Sequence, residues 1–558
     1  MTFGTRAALA AFLLSVFTFP SLARAQTLGL LRNEPGAYPG YTLFETLVYP
    51  TTYLIDMNGE VVHTWDHGTV IGSSLYLQDN GDLIRPASAG ILYASIGVGS
   101  GLIERTDWDG NVLWEFVYSD STRITHHDIA VLPNGNILAI AKELRPLADC
   151  VQAGRNPATL QQARLWPETL IEIEPTGSSG GNIVWKWEVW DHLIQDFDPT
   201  KDNYGVVADH PELVNINYRQ DNLANWLHMN SVTYDEELDQ IVVSSRTFNE
   251  FWIIDHSTTT AEAAGHTGGV RGRGGDLLYR WGNPEAYDAG TLADRQLFKQ
   301  HHPHWIPSGL TGAGRMMVFN NGNDRPGGPY STVDEIVTTV DANGDYPMPA
   351  SGTPHGPAAA AYSYVADPPD SFYSSFISSA QRLPNDDTLI CEGGPGRLFE
   401  IDGSENILWE YVVPVNMDGP MMQGEVPMNN ETRTFRATRL DPSFPGFAGR
   451  DLTPLGPIEL GGTGAPIVAA VGGAVLSPAF PNPFRAETSF DFTVERPGTA
   501  RLDIFDVAGR RVLTLVDGPV ESGRHRATWQ PSGVAPGVYT VRLLAADRAT
   551  TRKVTLVR

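Results

Sequence analysis

The sequence predicts an all-β protein, a six-bladed β-propeller followed by a small Ig-like β-sandwich. Three observations lead to this fold class. Strand-like segments ending in tight turns recur through the middle of the chain, most repeats end near a tryptophan, and long helical patterns are few. Four-stranded repeats of this kind close into a ring, and strands from both ends of the chain can complete one shared blade, which removes the exposed sheet edge. A pair of long β-sandwiches is the alternative.

The clearest repeat pairs residues 131–138, which turn at Pro133-Asn134-Gly135, with a second hairpin over residues 171–187. We expect the blade-end tryptophans of the repeats to pack between blades rather than to bind a ligand. Looser copies are 77–83 with 109–116, 233–245 with 277–281, 306–320 with 335–345, and 383–389 with 407–411. An unpaired hairpin at 53–65 and an unpaired strand at 434–440 form the sixth, shared unit.

Charge and the N-terminal segment restrict the partners and the compartment. The 558 residues include 65 acidic and 39 basic residues, a net charge of −26 that repels phosphate backbones and excludes nucleic acid as a partner. Residues 1–25 predict a signal peptide, with Arg6, an apolar run over 8–19 and a cleavage pattern ending at Ala25. No later run approaches 18 apolar residues, so we expect an exported chain without a membrane span.

Two cysteines, Cys150 and Cys391, are too few for a disulfide framework. They lie in different repeats, and the sequence leaves two possibilities open, one bridge or two buried thiols.

Histidines stand where the innermost strands of the repeats begin, the positions that converge on the axial pocket of a propeller. Counting back eight residues from Gly135 and Gly309 leads to His127 and His301, and His228 lies at a comparable strand start. Imidazoles in this arrangement can act as nucleophile, acid/base group or metal ligand. A zinc or copper site stays open, although no metal-binding spacing is present and we expect none. Nearby are His126, His302, His304 and Arg436, with Ser73 and Ser378 at the equivalent positions of other repeats.

An arginine follows the fourth of these repeats, in the segment 317–325 that ends Asn320-Asn321-Gly322-Asn323-Asp324-Arg325. A guanidinium beside imidazoles suits sulfuryl or phosphoryl oxygens, because its planar fork donates two parallel hydrogen bonds. An ordinary surface turn is the alternative for this segment.

Taken together, these motifs resemble those of the bacterial arylsulfate sulfotransferases over residues 40–450. The motifs are Trp226-Leu227-His228-Met229-Asn230-Ser231, then Gln300-His301, then 318–322 with Arg325, and 397–411. The resemblance implies a six-bladed propeller that moves a sulfuryl group from a small aromatic sulfate donor to a phenolic acceptor, through a sulfated histidine and without metal or diffusible cofactor. It implies catalytic roles for His228, His301 and Arg325, with His127 beside them. Substrate-binding residues are expected at Asn230, Asn321, His302, His304 and Arg436.

The same resemblance implies a nucleophilic histidine from a late blade, yet the corresponding strand, 376–382, has none. The nucleophile is then another histidine of the ring, with His127 and His301 as the candidates, or the chemistry of this branch differs. A non-catalytic surface propeller that binds a glycan or another anionic ligand is the competing class.

The C-terminal part is expected to be a separate domain. Residues 456–475 are small and glycine-rich, as in a flexible linker, and residues 476–558 carry 12 basic and 8 acidic residues against the strongly acidic remainder. Their period-2 strands predict a small β-sandwich. This segment resembles the C-terminal sorting domain of type IX secretion substrates, which implies passage through periplasm and outer membrane to the cell surface or the medium, with the type IX machinery as partner.

Overall fold

The computed structural model describes residues 26–461, except 91–99, 161, 219–223, 342–343 and 429, and the C-terminal residues 475–557 with short gaps at 477–478, 480–481, 483, 495–497, 507–509 and 546–547. The predicted signal peptide and residues 462–474 of the predicted linker lie outside the described residues. Residues 456–460 of that linker pair with other segments, since Val61 N–H donates to Gly456 O (2.8 Å) and Leu460 N–H to Met421 O (2.8 Å).

The prediction of an all-β protein is confirmed. In the described part of residues 29–440, six antiparallel sheets of four or five strands follow one another. In four of them, sheets II to V, the strands are hydrogen-bonded in chain order, as expected of consecutive hairpins. Sheet II has Tyr76–Leu77, Leu83–Ser88, Gly101–Thr106 and Val112–Val117; sheet III has Arg123–Val131, Ile137–Glu143, Glu168–Pro175 and Gly181–Glu188; sheet IV has Met229–Asp235, Gln240–Ser245, Glu250–Asp255 and Tyr279–Trp281; sheet V has His301–Trp305, Met316–Asn320, Thr332–Ile336 and Tyr362–Tyr364.

The two remaining sheets combine strands from both ends of this region. Sheet I places Thr434–Leu440 beside Tyr41–Thr46, which pairs onward with Thr51–Ile55 and Val61–Asp66. In sheet VI, Gly29–Asn33 is added as a fifth strand at the outer edge. Sheet VI otherwise contains Ser379–Arg382, Thr388–Glu392, Arg397–Ile401 and Ile407–Val412.

Tryptophans on the outer strands of sheets I, II, III, IV and VI bond to the next sheet in order. The indole N–H of Trp65 in sheet I donates to Asp107 O of the loop in sheet II (3.2 Å), and that of Trp114 in sheet II donates to Gly180 O in sheet III (2.7 Å). Trp185, Trp281 and Trp409 repeat the contact, the last from sheet VI back to sheet I. All five side chains are buried, which confirms that they are core residues.

Arg123–Val131 of sheet III packs on Met229–Asp235 of sheet IV, that strand packs on His301–Trp305 of sheet V, and the latter packs on Ser379–Arg382 of sheet VI. Ser379–Arg382 and Thr388–Glu392 of sheet VI also pack on Thr434–Leu440 of sheet I. Short elements fill the insertions between strands. They are the two-stranded pairs Arg145–Pro146 with Arg164–Leu165, Leu193–Ile194 with Val214–Asn215 and Val415–Asn416 with Gly419–Pro420, the α-helices Leu147–Gln152 and Thr260–Ala263, and 3₁₀ turns at Pro157–Thr159, Val189–Asp191, Val207–Asp209, Pro284–Tyr287, Leu292–Asp294, Pro369–Ser371 and Pro445–Phe447.

The C-terminal module has two antiparallel sheets that share one apolar core. Its alternating pattern is visible in Gly537–Ala545, where Tyr539, Val541 and Leu543 are buried between exposed neighbours. One sheet contains Val475–Leu476, Thr488–Val494 and Gly523–Trp529, and the other Arg511–Val520, Gly498–Phe505, Gly537–Ala545 and Arg548–Leu556.

Of the two possibilities for the cysteines, the structure has two buried free thiols. Burial raises the pKa of the Cys150 thiol to about 11 and that of Cys391 further, so both are protonated and unreactive at neutral pH.

Candidate active site

Left-handed backbone conformations occur at or beside the starts of three inner strands, and at His127 within the fourth, Arg123–Val131, rather than at the start that the sequence predicts. The φ angles are +56° at His127, +51° at His228, +52° at His302 and +93° at Ser378. In sheets III, IV and V, a β-bulge near His127, His228 or His302 interrupts the pairing of the first strand with the second. A side chain in this backbone region costs of order 1–3 kcal/mol, and such strain concentrates at functional sites. The bulges turn these side chains out of the regular alternation of the strands.

Four of the predicted histidines form one group, called here the histidine cluster: His126, His127, His228 and His301. The rings of His127 and His228 lie 4.8 Å apart, and Nδ1 of His127 lies 2.7 Å from Nδ1 of His126. Phe435, from the strand of sheet I, packs 6.3 Å from His127 and 6.2 Å from His301. Sheets I, III, IV and V therefore all contribute to this place.

Both ring nitrogens of His301 are engaged by fixed partners. Asn321 donates its amide to Ser374 O (2.8 Å) and Ile377 O (2.9 Å), so its Oδ1 faces His301 and accepts from Nδ1–H (2.7 Å). Nε2 of His301 then carries the lone pair, and it accepts from Ile377 N–H (3.1 Å). His301 is held in one tautomer without a free lone pair for an incoming group.

The tautomer of His228 follows from a buried lysine. Lys142 donates to Oδ1 of Asn225, which turns the amide nitrogen of Asn225 toward His228, where it donates to Nδ1 (2.6 Å). Because Nδ1 accepts, Nε2 of neutral His228 carries the proton. Lys142 also lies 3.8 Å from Glu168, whose carboxylate accepts from Met229 N–H (3.1 Å). The half-buried His228 thus has an N–H donor at Nε2.

Nε2 of His127 has no hydrogen-bond partner among the described residues, and neither has the fully buried Nε2 of His126. Nδ1 of His127 shares one proton with Nδ1 of His126 across 2.7 Å. When His127 is the donor of that hydrogen bond, its Nε2 has a free lone pair, as a nucleophilic imidazole requires.

The cluster is uncharged at neutral pH. Burial lowers the pKa of His301 to about 3, and the charge of Arg246 adds to the effect. Burial likewise holds the pKa values of His126, His127 and His228 well below the usual range, with Lys142 contributing at each. Neutral imidazoles are the form that attacks an electrophile.

Arg246 is a cation that the sequence analysis missed. It directly follows strand Gln240–Ser245, and its backbone N–H donates to His228 O (3.3 Å). The charge of its side chain lowers the pKa values of His127, His228 and His301. Burial in turn lowers the pKa of Arg246, opposed by Asp324 and Tyr373. No ion pair of its guanidinium is seen in the described part of the chain, in contrast to Arg280, which pairs with a buried glutamate.

Arg325 contacts two aromatic rings and a threonine hydroxyl. Its guanidinium stacks between the rings of Phe298 (5.1 Å) and Tyr330 (4.4 Å), and it donates to Thr332 Oγ1 (3.2 Å). Asn230 is also held by the fold, since its amide donates to Gln300 O (2.8 Å). These contacts give Arg325 and Asn230 partners within the protein.

Arg436 joins several sheets. It donates to Asp128 Oδ2 (2.6 Å) and to the hydroxyl of Tyr76 (2.5 Å), and that hydroxyl donates to Asp128 Oδ1 (2.9 Å). Asp128 also accepts from Val232 N–H (3.2 Å). This buried network connects sheets I, II, III and IV.

His302 and His304 stack on each other with ring centroids 4.3 Å apart, and Nδ1–H of His304 donates a hydrogen bond to His302 O (3.0 Å). Burial lowers the pKa of His304 to about 4. Burial also lowers the pKa of His302, the charge of Arg436 adds to the lowering of both pKa values, and His301 contributes at His302.

Metal-donating atoms of three residues converge elsewhere. Among the described residues, the group whose donor atoms lie within 4.8 Å of one another is His192, His266 and Asp276, none of which belongs to the cluster.

A family comparison decides the relationship of the chain. The sequence model for arylsulfotransferase (ASST) matches residues 44–434. The chain belongs to the arylsulfotransferase family. The matched range contains every member of the histidine cluster and nearly all of the six sheets.

A second family, the secretion system C-terminal sorting domain, matches residues 478–557. This ASST-family protein is therefore exported to the cell surface or the medium, and its route involves the type IX secretion machinery. None of the helices in the described part of the chain is both long and apolar enough to cross a membrane.

Similar solved structures are remote, and no curated protein matches the chain. A protein of unknown function from Bacteroides caccae is 11% identical with a TM-score of 0.39, covering 72% of this chain and 99% of that one. PorZ, a surface component of the type IX secretion system of Porphyromonas gingivalis, is 10% identical with a TM-score of 0.20, covering 92% and 75%. BBS1N in complex with ARL6DN is 10% identical with a TM-score of 0.29, covering 76% and 99%.

Proposed function

We propose that this protein is a secreted aryl-sulfate sulfotransferase, which transfers a sulfuryl group from a small aromatic sulfate to a phenol at the histidine cluster. The observation that carries the proposal is a neutral imidazole, His127, in a chain of the ASST family. Its Nε2 has no hydrogen-bond partner among the described residues, and the charge of Arg246 contributes to lowering its pKa. A nucleophile and a cation are what sulfuryl transfer requires of a protein.

The six sheets are, in this proposal, the blades of one propeller around the histidine cluster. Indole contacts from the outer strands of five of the six sheets to the next sheet, including the contact from sheet VI to sheet I, support a closed ring. So does the network of Arg436, Asp128 and Tyr76, because it brings the strand of sheet I to sheets II and III. The C-terminal module is the Ig-like sandwich that serves sorting.

In the first half-reaction, Nε2 of His127 attacks sulfur, the N–S bond forms, and the bond from sulfur to the aryl oxygen breaks. The leaving phenolate takes the bonding electrons and accepts a hydrogen bond from Nε2–H of His228. His127 becomes positively charged, and its Nδ1–H donates to Nδ1 of His126, as the orienting group does in a nucleophile–base pair.

Arg246 and the half-buried Tyr373 complete the site in this proposal. The guanidinium balances the negative sulfuryl oxygens as charge shifts during transfer, a role in which a buried cation is effective. Tyr373 interacts electrostatically with Arg246 and offers an aromatic face to the aryl group. In the second half-reaction an acceptor phenolate attacks sulfur and His127 is regenerated. The proton of the acceptor phenol ends on the released phenol.

The alternative is a non-catalytic surface propeller that binds an anionic ligand at the same place. It is favoured by Ser378, which stands at the left-handed strand start of sheet VI where a histidine is expected from the resemblance. The saturation of His301 by two fixed partners points the same way, because it leaves fewer imidazoles for chemistry.

Turnover of 4-nitrophenyl sulfate with phenol as acceptor tests the proposal. We expect nitrophenol release that depends on phenol and falls about a thousandfold or more in His127→Ala, because the nucleophile is lost. His210→Ala is the matched control, since His210 is an exposed histidine paired with Glu212 (2.9 Å) outside the cluster. Binding of the aryl sulfate without release under any acceptor contradicts the transferase and supports the binding protein.

A further inference from the structure

A second group of histidines lies in two insertions of the sheets. His192 follows the 3₁₀ turn Val189–Asp191 after sheet III, His266 lies in the loop after helix Thr260–Ala263, and Asp276 precedes strand Tyr279–Trp281. Nδ1 of His192 and Nδ1 of His266 each lie 2.8 Å from the same oxygen, Oδ1 of Asp276. His192 is fully buried, Asp276 nearly so, and the side chain of His266 is 61% exposed.

The tautomer of His192 leaves this arrangement short of a positive charge. Nε2 of His192 lies 2.8 Å from Ala263 O, which can only accept, so Nε2 carries a proton. In neutral His192, Nδ1 is then a lone pair pointing at a carboxylate oxygen, which is repulsive. A cation between them removes the repulsion, whether it is a metal ion or a second proton on His192.

The surroundings of His192 are those of a metal ligand. A ring N–H that donates to a backbone carbonyl is the usual outer contact that fixes a ligating histidine. The ring is also clamped, since Trp187 stacks on it at 5.6 Å with planes 6° apart. A Cβ at Gly275 would lie 2.6 Å from Nε2 of His192 and 2.0 Å from Ala263 O, so only glycine fits behind this contact.

We infer that His192, His266 and Asp276 bind a zinc ion, with an open fourth position on the exposed side of His266. Two imidazoles and one carboxylate are a donor set that zinc takes, at about 2.0–2.2 Å from each atom. Tetrahedral geometry at those lengths separates the donors by about 3.3 Å, so an opening of about 0.5 Å from the 2.8 Å contacts admits the ion.

The ion would fasten a glycine-rich loop to the body of the protein. Residues 264–275 contain six glycines, and Gly268, Gly269, Gly272 and Gly274 have positive φ. Such a loop loses much conformational entropy on ordering. His266 lies near the start of this loop, Asp276 directly follows it and His192 belongs to the other insertion, so one metal ion links the two insertions.

Zinc binding and loop protection test the inference on the chain that lacks residues 1–25. After chelator treatment and addition of zinc, we expect one zinc per chain and loss of that zinc in His266→Ala and in Asp276→Asn. Trypsin can cut the loop at Arg271 and Arg273, and zinc at about ten times its Kd should slow this cleavage about tenfold in the wild-type chain but in neither His266→Ala nor Asp276→Asn. His210→Ala, also an exposed histidine with a carboxylate partner, should behave as the wild type.

Other results overturn the inference. If the wild-type chain retains no zinc and chelator does not change the cleavage rate, the group is an ion pair of protonated His192 with Asp276. If His266→Ala retains zinc with unchanged affinity, the metal is bound elsewhere. Because the side chain of His266 is mostly exposed, its replacement leaves no cavity, and Asp276→Asn gives a second variant that keeps a hydrogen-bonding oxygen.

Discussion

The buried, neutral His301 makes the protein lose stability in acid. Its pKa is about 3 in the folded chain because of burial, against about 6.5 in an unfolded chain. Between these two values the unfolded state binds a proton that the folded state does not. Stability is therefore complete above about pH 6.5 and falls as the pH decreases, by about 1.4 kcal/mol per pH unit from this residue. From pH 7 to pH 5 the loss from His301 is about 2 kcal/mol.

Urea unfolding followed by tryptophan fluorescence measures this loss, since 12 of the 13 tryptophans precede the C-terminal module. His301→Asn keeps a donor toward Asn321 but removes the titrating group, so its free energy of unfolding should depend less steeply on pH between 6 and 4, by about one proton. Val318→Ala is the control, because it removes buried methyl groups from the neighbouring strand without removing a titrating group. Parallel pH dependences for His301→Asn and the wild type would refute the reasoning.

Three further predictions concern buried charges and thiols. Lys142→Met should lower the free energy of unfolding by about 3–5 kcal/mol, because Glu168 stays buried without its partner. The double variant Lys142→Met/Glu168→Met should recover most of this lost stability, and a double variant as unstable as Lys142→Met contradicts the prediction. Arg246→Met should reduce kcat/KM for an aryl sulfate about a hundredfold and Arg325→Met less than tenfold, and the reverse order would show that Arg325 is the cation of the site. A thiol reagent should label neither cysteine in the native chain and both in urea, so rapid native labelling counts against burial.

Local patterns in the sequence predict much of the fold. The turn at Pro133-Asn134-Gly135 and the tryptophans at strand ends identify the hairpins, because turn chemistry and period-2 burial are local properties. The shared sheet is also predicted, since strand 434–440 and the first hairpin each lack a partner. The added strand Tyr41–Thr46 between them was not anticipated.

The candidate site is predicted only in part, because its electrostatics depend on contacts between distant segments. His127, His228 and His301 meet as the repeat positions indicate. That His301 is saturated depends on Asn321 and on Ile377, 76 residues away, which no local pattern reveals. Lys142 could have been suspected, as a lysine inside an apolar strand.

Arg325 stays a predicted site residue, and the proposal adds Arg246 as a cation of the site. Arg325 ends a turn that matches the motif, and its aromatic stacking partners come from two separate segments. Arg246 has no such motif, although it directly follows a buried strand of sheet IV.

The most direct test of the account is the site of covalent sulfation. The chain that lacks residues 1–25 is exposed briefly to an aryl sulfate without acceptor, quenched at alkaline pH because an N-sulfated histidine is acid-labile, and mapped by peptide mass spectrometry. The account predicts an addition of about 80 Da on His127, absent in His127→Ala and removed by added phenol. An adduct on His228 or His301, or phenol-dependent turnover with no adduct on any histidine, would contradict it.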